Sequence, residues 1–185
     1  PFPAAVDDAV RAYEWLLSKG YKAERIIIGG DSAGGGLTLA LIHALRQKGI
    51  KQPGMAFCLS PWTDLTASGE SVTFNDGKDP MFRKLAGTSL ADLYLGDAEP
   101  TNPLASPLFG DFKDFPPLLV FVSDTELLLD DSRRLAARVQ EAGSKVDLRI
   151  AQGQPHVWPV MVGFLPEART TINEIGTGIR QYLGK

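Results

Sequence analysis

One stretch narrows the fold more than any other: Gly30-Asp31-Ser32-Ala33-Gly34, a G-x-S-x-G motif set between a short apolar run and a helical pattern. The run, Arg25 to Gly29, reads as a strand, and Leu37, Leu41, Ile42 and Leu45 mark one face of a helix that follows Ser32 and ends near Gly49. A serine at a sharp strand-to-helix turn sits in strained backbone, and small residues two positions to either side relieve the clash between strand and helix. Its hydroxyl projects from the C-terminal edge of a sheet, and the helix starting beside it aims N–H groups and the positive end of its dipole at the same spot. A Walker loop is excluded because the lysine before its final Ser/Thr is absent, and no G-x-G-x-x-G register fits residues 29–39.

The rest of the chain repeats the strand–helix alternation. Val6, Val10, Tyr13 and Leu17 predict an amphipathic helix over residues 3–19, and Met55 to Leu59 a second strand ending at Pro61. Residues 62–117, rich in Gly, Pro, Asp and Ser, read as an irregular excursion with one helical piece around Lys84 to Leu95. Then come a strand at Leu118 to Ser123, a helix at Asp130 to Ala142, a strand at Val146 to Ile150 and a last helix at Leu165 to Leu183. Four such alternations predict an α/β fold, a mostly parallel sheet flanked by helices, and residues 1–185 as a single domain.

Composition removes several function classes. With 22 acidic against 19 basic residues and a net charge of −3, the chain has no basic footprint for nucleic acid. The lone Cys58 forms no internal disulfide and reads as a small core residue, and two histidines make no histidine-rich metal site. No apolar run approaches the roughly 20 residues of a membrane span, so the expectation is a soluble, cytoplasmic protein. Arg133, Arg134 and Arg138 read as a solvated helix face.

A serine hydroxyl is a poor nucleophile until a base takes its proton. His43 stands 11 residues beyond Ser32 on the same predicted helix, roughly 16 Å away, which excludes it. His156, in the loop after the last predicted strand, is therefore the base. The acid is expected in the loop after the third strand, between serine and histidine in chain order. Asp130 and Asp131 suit the start of the following helix, leaving Asp124 and Glu126, which spacing does not separate.

Several blocks together resemble the C-terminal part of bacterial hormone-sensitive-lipase-like esterases, within the α/β-hydrolase fold. They are Pro1-Phe2-Pro3-Ala4-Ala5, Gly30-Asp31-Ser32-Ala33-Gly34-Gly35, Ser60-Pro61-Trp62-Thr63-Asp64-Leu65, Asn102-Pro103-Leu104-Ala105-Ser106-Pro107, Glu126-Leu127-Leu128-Leu129-Asp130-Asp131 and His156-Val157-Trp158. The resemblance spans essentially the whole sequence and puts the nucleophile on Ser32 and the base on His156. The family's acid stands two positions before a Leu-x-Asp-(Asp/Glu) run, here Leu128-Leu129-Asp130-Asp131, which puts it on Glu126 where most relatives carry aspartate. Asp124 remains the second candidate. The resemblance also implies Ala33 N–H as an oxyanion donor, and Trp62 and Val157 near the acyl and alcohol pockets.

The family's His-Gly-Gly-Gly oxyanion loop does not occur in this sequence. The expectation is a C-terminal part of a hydrolase whose elbow strand has an open edge, prone to homo-oligomerisation or to pairing with a complementing N-terminal segment. The expected activity is that of a cofactor-free, metal-free serine carboxylesterase acting on small, short-chain acyl esters through an acyl-enzyme. The alternatives are a non-catalytic ligand-binding module on the same fold, or an inactive piece that needs its N-terminal half.

Overall fold

The computed structural model of the chain describes residues 1–184, with residues 84–88 described by their backbone only; Lys185, the last residue of the expected domain, lies outside it. The element order is α1 (Ala4–Ser18), β1 (Ile27–Asp31), α2 (Ala33–Gln47), β2 (Met55–Leu59), α3 (Ser71–Phe74), α4 (Lys84–Leu95), β3 (Leu118–Ser123), α5 (Leu129–Glu141), β4 (Val146–Ala151) and α6 (Pro166–Tyr182). The four strands are parallel and lie in the order β1-β2-β3-β4, so sequence neighbours are also spatial neighbours. Among the described residues no helix is long and apolar enough to cross a membrane.

Strand side chains alternate between two faces, and both faces are covered. On one, Ala56 and Cys58 of β2 and Leu118 and Val120 of β3 pack with Leu39 and Ile42 of α2 and Leu135 and Val139 of α5. On the other, Leu59 and Phe121 meet Trp158 and α6 residues Ala168 and Ile175. Helix α1 forms an outer layer, with Val6, Val10 and Tyr13 against Ala40, Leu41 and Leu45 of α2. Each large side chain so buried contributes about 1.5–3 kcal/mol.

The first strand corrects the sequence reading by two residues. Residues 23–25 form a 3-10 turn, and pairing runs from Ile27↔Met55 to Asp31↔Leu59, through glycines that read as the strand's end. These strand positions are glycine because their neighbours leave no room for a Cβ. One on Gly29 would lie 2.3 Å from the Phe57 ring, and one on Gly30 would lie 2.3 Å from the Gly34 carbonyl oxygen.

The registers bring the strand ends to one edge of the sheet. Ser32 N–H donates to Leu59 O at 2.9 Å, Ser60 N–H to Phe121 O at 2.6 Å, and Asp124 N–H to Ala151 O at 2.9 Å. The segments after β1, β2, β3 and β4 therefore converge, which is where ligand sites form in sheets of this kind.

Candidate active site

Ser32 occupies the turn between β1 and α2 with φ 52° and ψ −121°, a conformation that costs a non-glycine residue about 1–3 kcal/mol. It stands at the N-cap of α2, yet its side chain makes no cap hydrogen bond, so the hydroxyl is not spent on the helix end. The turn is held from both sides: Ser32 O accepts from Gly35, Gly36 and Trp62 N–H groups. Gly35 and Gly36 let α2 press against the next loop, since Cβ atoms there would lie 2.8 Å from Pro61 Cβ and 2.2 Å from Trp62 O. Gly34 behaves differently from the expectation of bulk relief on both sides of the serine: a Cβ on it meets nothing within 4 Å. Only its backbone is pressed, against Gly30.

Among the described residues the Ala33 N–H has no protein acceptor. Ser32 and Ala33 open onto a cavity of about 160 Å³ whose apolar wall includes Trp62, Leu65, Val72, Phe82, Leu90 and Leu127. Trp62 lines the cavity, its indole N–H donating to Asp64 O at 3.3 Å. Val157 does not line it: left-handed at φ 55°, it is buried with Leu59, Phe121 and Trp158 beneath the histidine loop.

His156 and Glu126 form a buried pair. The imidazole Nδ1 lies 2.5 Å from Glu126 Oε2, with the side chains 3% and 0% exposed. The other carboxylate oxygen accepts from Ser123 N–H at 2.7 Å and from the Ser60 hydroxyl at 2.8 Å. His156 Nε2 is buried and has no hydrogen-bond partner, Ser32 Oγ included. Leaving such an atom unpaired costs about 1–3 kcal/mol, and native proteins rarely bear that cost without a use for the atom. Phe82, which walls the Ser32 cavity, meets the His156 ring edge-on at 4.8 Å between centroids. Cavity and histidine therefore share a wall.

The two acids left open by spacing separate in space. Asp124 faces the turn after β4, its Oδ1 accepting from Gly153 N–H at 2.8 Å, whereas Glu126 faces the imidazole. Asn75 fixes this loop by donating from one amide to Asp124 O and Glu126 O, both at 2.9 Å. His43 is a core residue: its Nε2 bonds Pro107 O at 3.2 Å, its ring packs on Phe112 and Phe115, and burial pushes its pKa down to about 4.

Three residues of this region have no site role in the sequence reading: Ser60, Phe82 and Asp131, the last of which it places only at the start of a helix. Asp131 Oδ2, buried beside the cavity, accepts from Thr63 N–H, Thr63 hydroxyl and Asp64 N–H at 2.7, 3.2 and 2.9 Å. Burial pushes its pKa up to about 7, an effect that neighbouring Asp64 reinforces and the Thr63 hydrogen bonds oppose. Burial also raises the Asp64 pKa, but bonds from Ser68, Thr66 and Arg134 outweigh it and hold the group below its ordinary value. Arg134 is only partly exposed and does more than face solvent: it bonds the buried Asp64 at 2.9 Å, while the exposed Arg138 reaches Gly110 O at 3.0 Å. Arg133, paired with Asp130 on the same helix, and Arg138 both keep the exposed role. Cys58 is fully buried, and burial pushes its thiol pKa up. Among the described residues no group of three or more His, Cys, Asp or Glu is placed to hold a metal ion.

A family described as alpha/beta hydrolase fold matches residues 1–160. An acetyl-hydrolase of Streptomyces hygroscopicus is 40% identical over 185 residues, covering 100% of this chain and 62% of that protein. The solved structure of an esterase from the bacterial hormone-sensitive lipase family superposes with a TM-score of 0.96 at 49% identity, covering 98% of this chain and 61% of the other. A structure of EstE5, from a crystal soaked with p-nitrophenyl butyrate, does so at 0.96 and 40% identity, covering 100% and 62%. The chain thus spans about three fifths of the length of these relatives.

Proposed function

The chain belongs to the alpha/beta hydrolase fold family, and from that premise we propose that it acts as a serine carboxylesterase on short-chain acyl esters. The observation that carries this reading is the buried His156, paired through Nδ1 with Glu126 while Nε2 stays without a partner. An imidazole so held is fixed in the tautomer whose Nε2 accepts a proton.

In the proposed cycle Nε2 takes the Ser32 hydroxyl proton as Oγ attacks the ester carbonyl carbon. The carbonyl electron pair moves onto oxygen, which the Ala33 N–H at the start of α2 helps to stabilise. Collapse of this intermediate breaks the bond to the alkoxide, which leaves with the proton from His156. Water then attacks the acyl-enzyme, gives a proton to Nε2 and releases the acid, returning the proton to Ser32. Glu126 keeps the ring oriented and stabilises the imidazolium in both halves.

Short acyl groups fit the size and apolar lining of the cavity beside Ser32. The acetyl-hydrolase relative and the structure from a crystal soaked with a butyrate ester support the same class. In this reading residues 1–185 are a single catalytic domain, residues 62–117 roof the cavity, and the free side of β1 takes a second copy or a complementing segment.

The experiment is treatment with a fluorophosphonate, followed by intact-mass measurement and mapping of the adduct. A single adduct on Ser32 that disappears in Ser32→Ala and is lost or greatly slowed in His156→Ala is the expected result. A folded chain that takes no adduct yet binds small esters would make it a ligand-binding module instead.

A further inference from the structure

The segment after β2 contributes a residue that bonds the acid of the buried pair and the backbone beside its histidine. Ser60 is fully buried and stands at φ 48°, a left-handed conformation uncommon for serine. Its hydroxyl donates to Glu126 Oε1 at 2.8 Å and accepts from Val157 N–H, the backbone group next to His156, at 3.1 Å. Its own N–H is tied to Phe121 O on β3. One side chain thus joins the acid's loop to the base's loop from a third strand.

We infer that Ser60 is a positioning residue that fixes the Glu126 carboxylate with Oε2 on His156 Nδ1 and at the same time anchors the histidine loop. Glutamate has one more rotatable bond than aspartate, so its carboxylate needs an additional restraint to stay in one orientation. Ser123 N–H supplies one donor to Oε1, and the Ser60 hydroxyl supplies the second from the opposite side of the acid loop. The hydroxyl donates its one hydrogen bond to the carboxylate and accepts from Val157 N–H through one of its two lone pairs, so it acts as donor and acceptor at once.

The kinetic part of this inference rests on the esterase reading; the structural part does not. Ser60→Ala removes the hydroxyl, and Ser60→Gly removes it while suiting the positive φ, so a fold lost to strain in the first is retained in the second. Both variants are expected to lower kcat about 10- to 100-fold, the scale on which a bond that orients a functional histidine is felt. KM should stay close to that of the parent chain. The loss should largely vanish in a Glu126→Gln background, where the carboxylate to be positioned is gone. By proton NMR the low-field His156 Nδ1 resonance of the parent chain should move upfield or broaden away in both variants. A kcat within twofold of the parent and an unmoved resonance in folded Ser60→Gly would overturn the inference. If Ser32 takes no fluorophosphonate adduct, the esterase reading fails while the resonance still decides the role of Ser60.

Discussion

Two carboxyl groups two positions apart in one loop, Asp124 and Glu126, are equivalent by spacing and opposite in space. The turn after β3 sends Glu126 inward, where Oε2 meets His156, and leaves Asp124 to hold Gly153 N–H. Glu126→Gln should therefore cut kcat/KM by about 10³- to 10⁴-fold, because an amide facing Nδ1 favours the wrong tautomer. Asp124→Asn should leave it within a factor of a few. Measuring both with p-nitrophenyl butyrate decides the matter, and the opposite ranking would move the acid to Asp124. Ser32 and His156 are legible as candidates because chemistry restricts each role to a residue type and helix geometry removes His43. Ser60 is not: a serine after a strand carries no periodic or spacing signal, and its partners lie 66 and 97 residues away.

Among the elements, the close approach of α2 to the loop after β2 is what the glycine run permits, and its members are not equivalent. A Cβ on Gly36 would sit 2.2 Å from Trp62 O, a backbone atom that yields only if the helix or the loop moves. Gly36→Ala should destabilise by about 1–3 kcal/mol, as overpacking does. Gly34 is helical with nothing within 4 Å of its Cβ position, so Gly34→Ala should raise stability by up to about 1 kcal/mol through helix propensity alone. Urea unfolding of the two variants reads the difference, and equal effects would remove the packing argument. Element identities were well legible because period-2 and period-3.6 patterns report burial directly: β2, α4 and β3 begin and end where the sequence puts them. Strand β1 slipped by two residues because glycine carries no hydrophobic signal, although Gly29 and Gly30 are paired strand residues. Of the α5 arginines only Arg134 departs from the solvated face, for a related reason: its partner Asp64 lies in the loop between β2 and β3, beyond the reach of local pattern.

Across the whole molecule two buried titratable groups oppose each other over one pH window. His43 in α2 is pushed by burial from 6.5 down to about 4, and Asp131 in α5 is pushed by burial from 3.8 up to about 7. As pH falls from 6.5 to 4 the unfolded chain protonates at residue 43 before the folded one, so stability is lost. Over nearly the same range the folded chain already carries the Asp131 proton while the unfolded chain has still to take it up, so stability is regained. Each effect amounts to a few kcal/mol, and they largely cancel. Asp64 and Asp111, both held below 3.8, contribute stability that is lost only as pH drops further. Urea unfolding of the parent chain should therefore depend little on pH through these two groups between 4 and 6.5. Asp131→Asn removes one side of the balance: the variant should be more stable than the parent near pH 7 and lose stability on acidification. His43→Gln removes the other and should gain stability over the same interval. An Asp131→Asn variant with the parent's pH profile would show that this carboxyl is ionised in the folded chain at pH 5, and the opposition between the two helices would then have no basis.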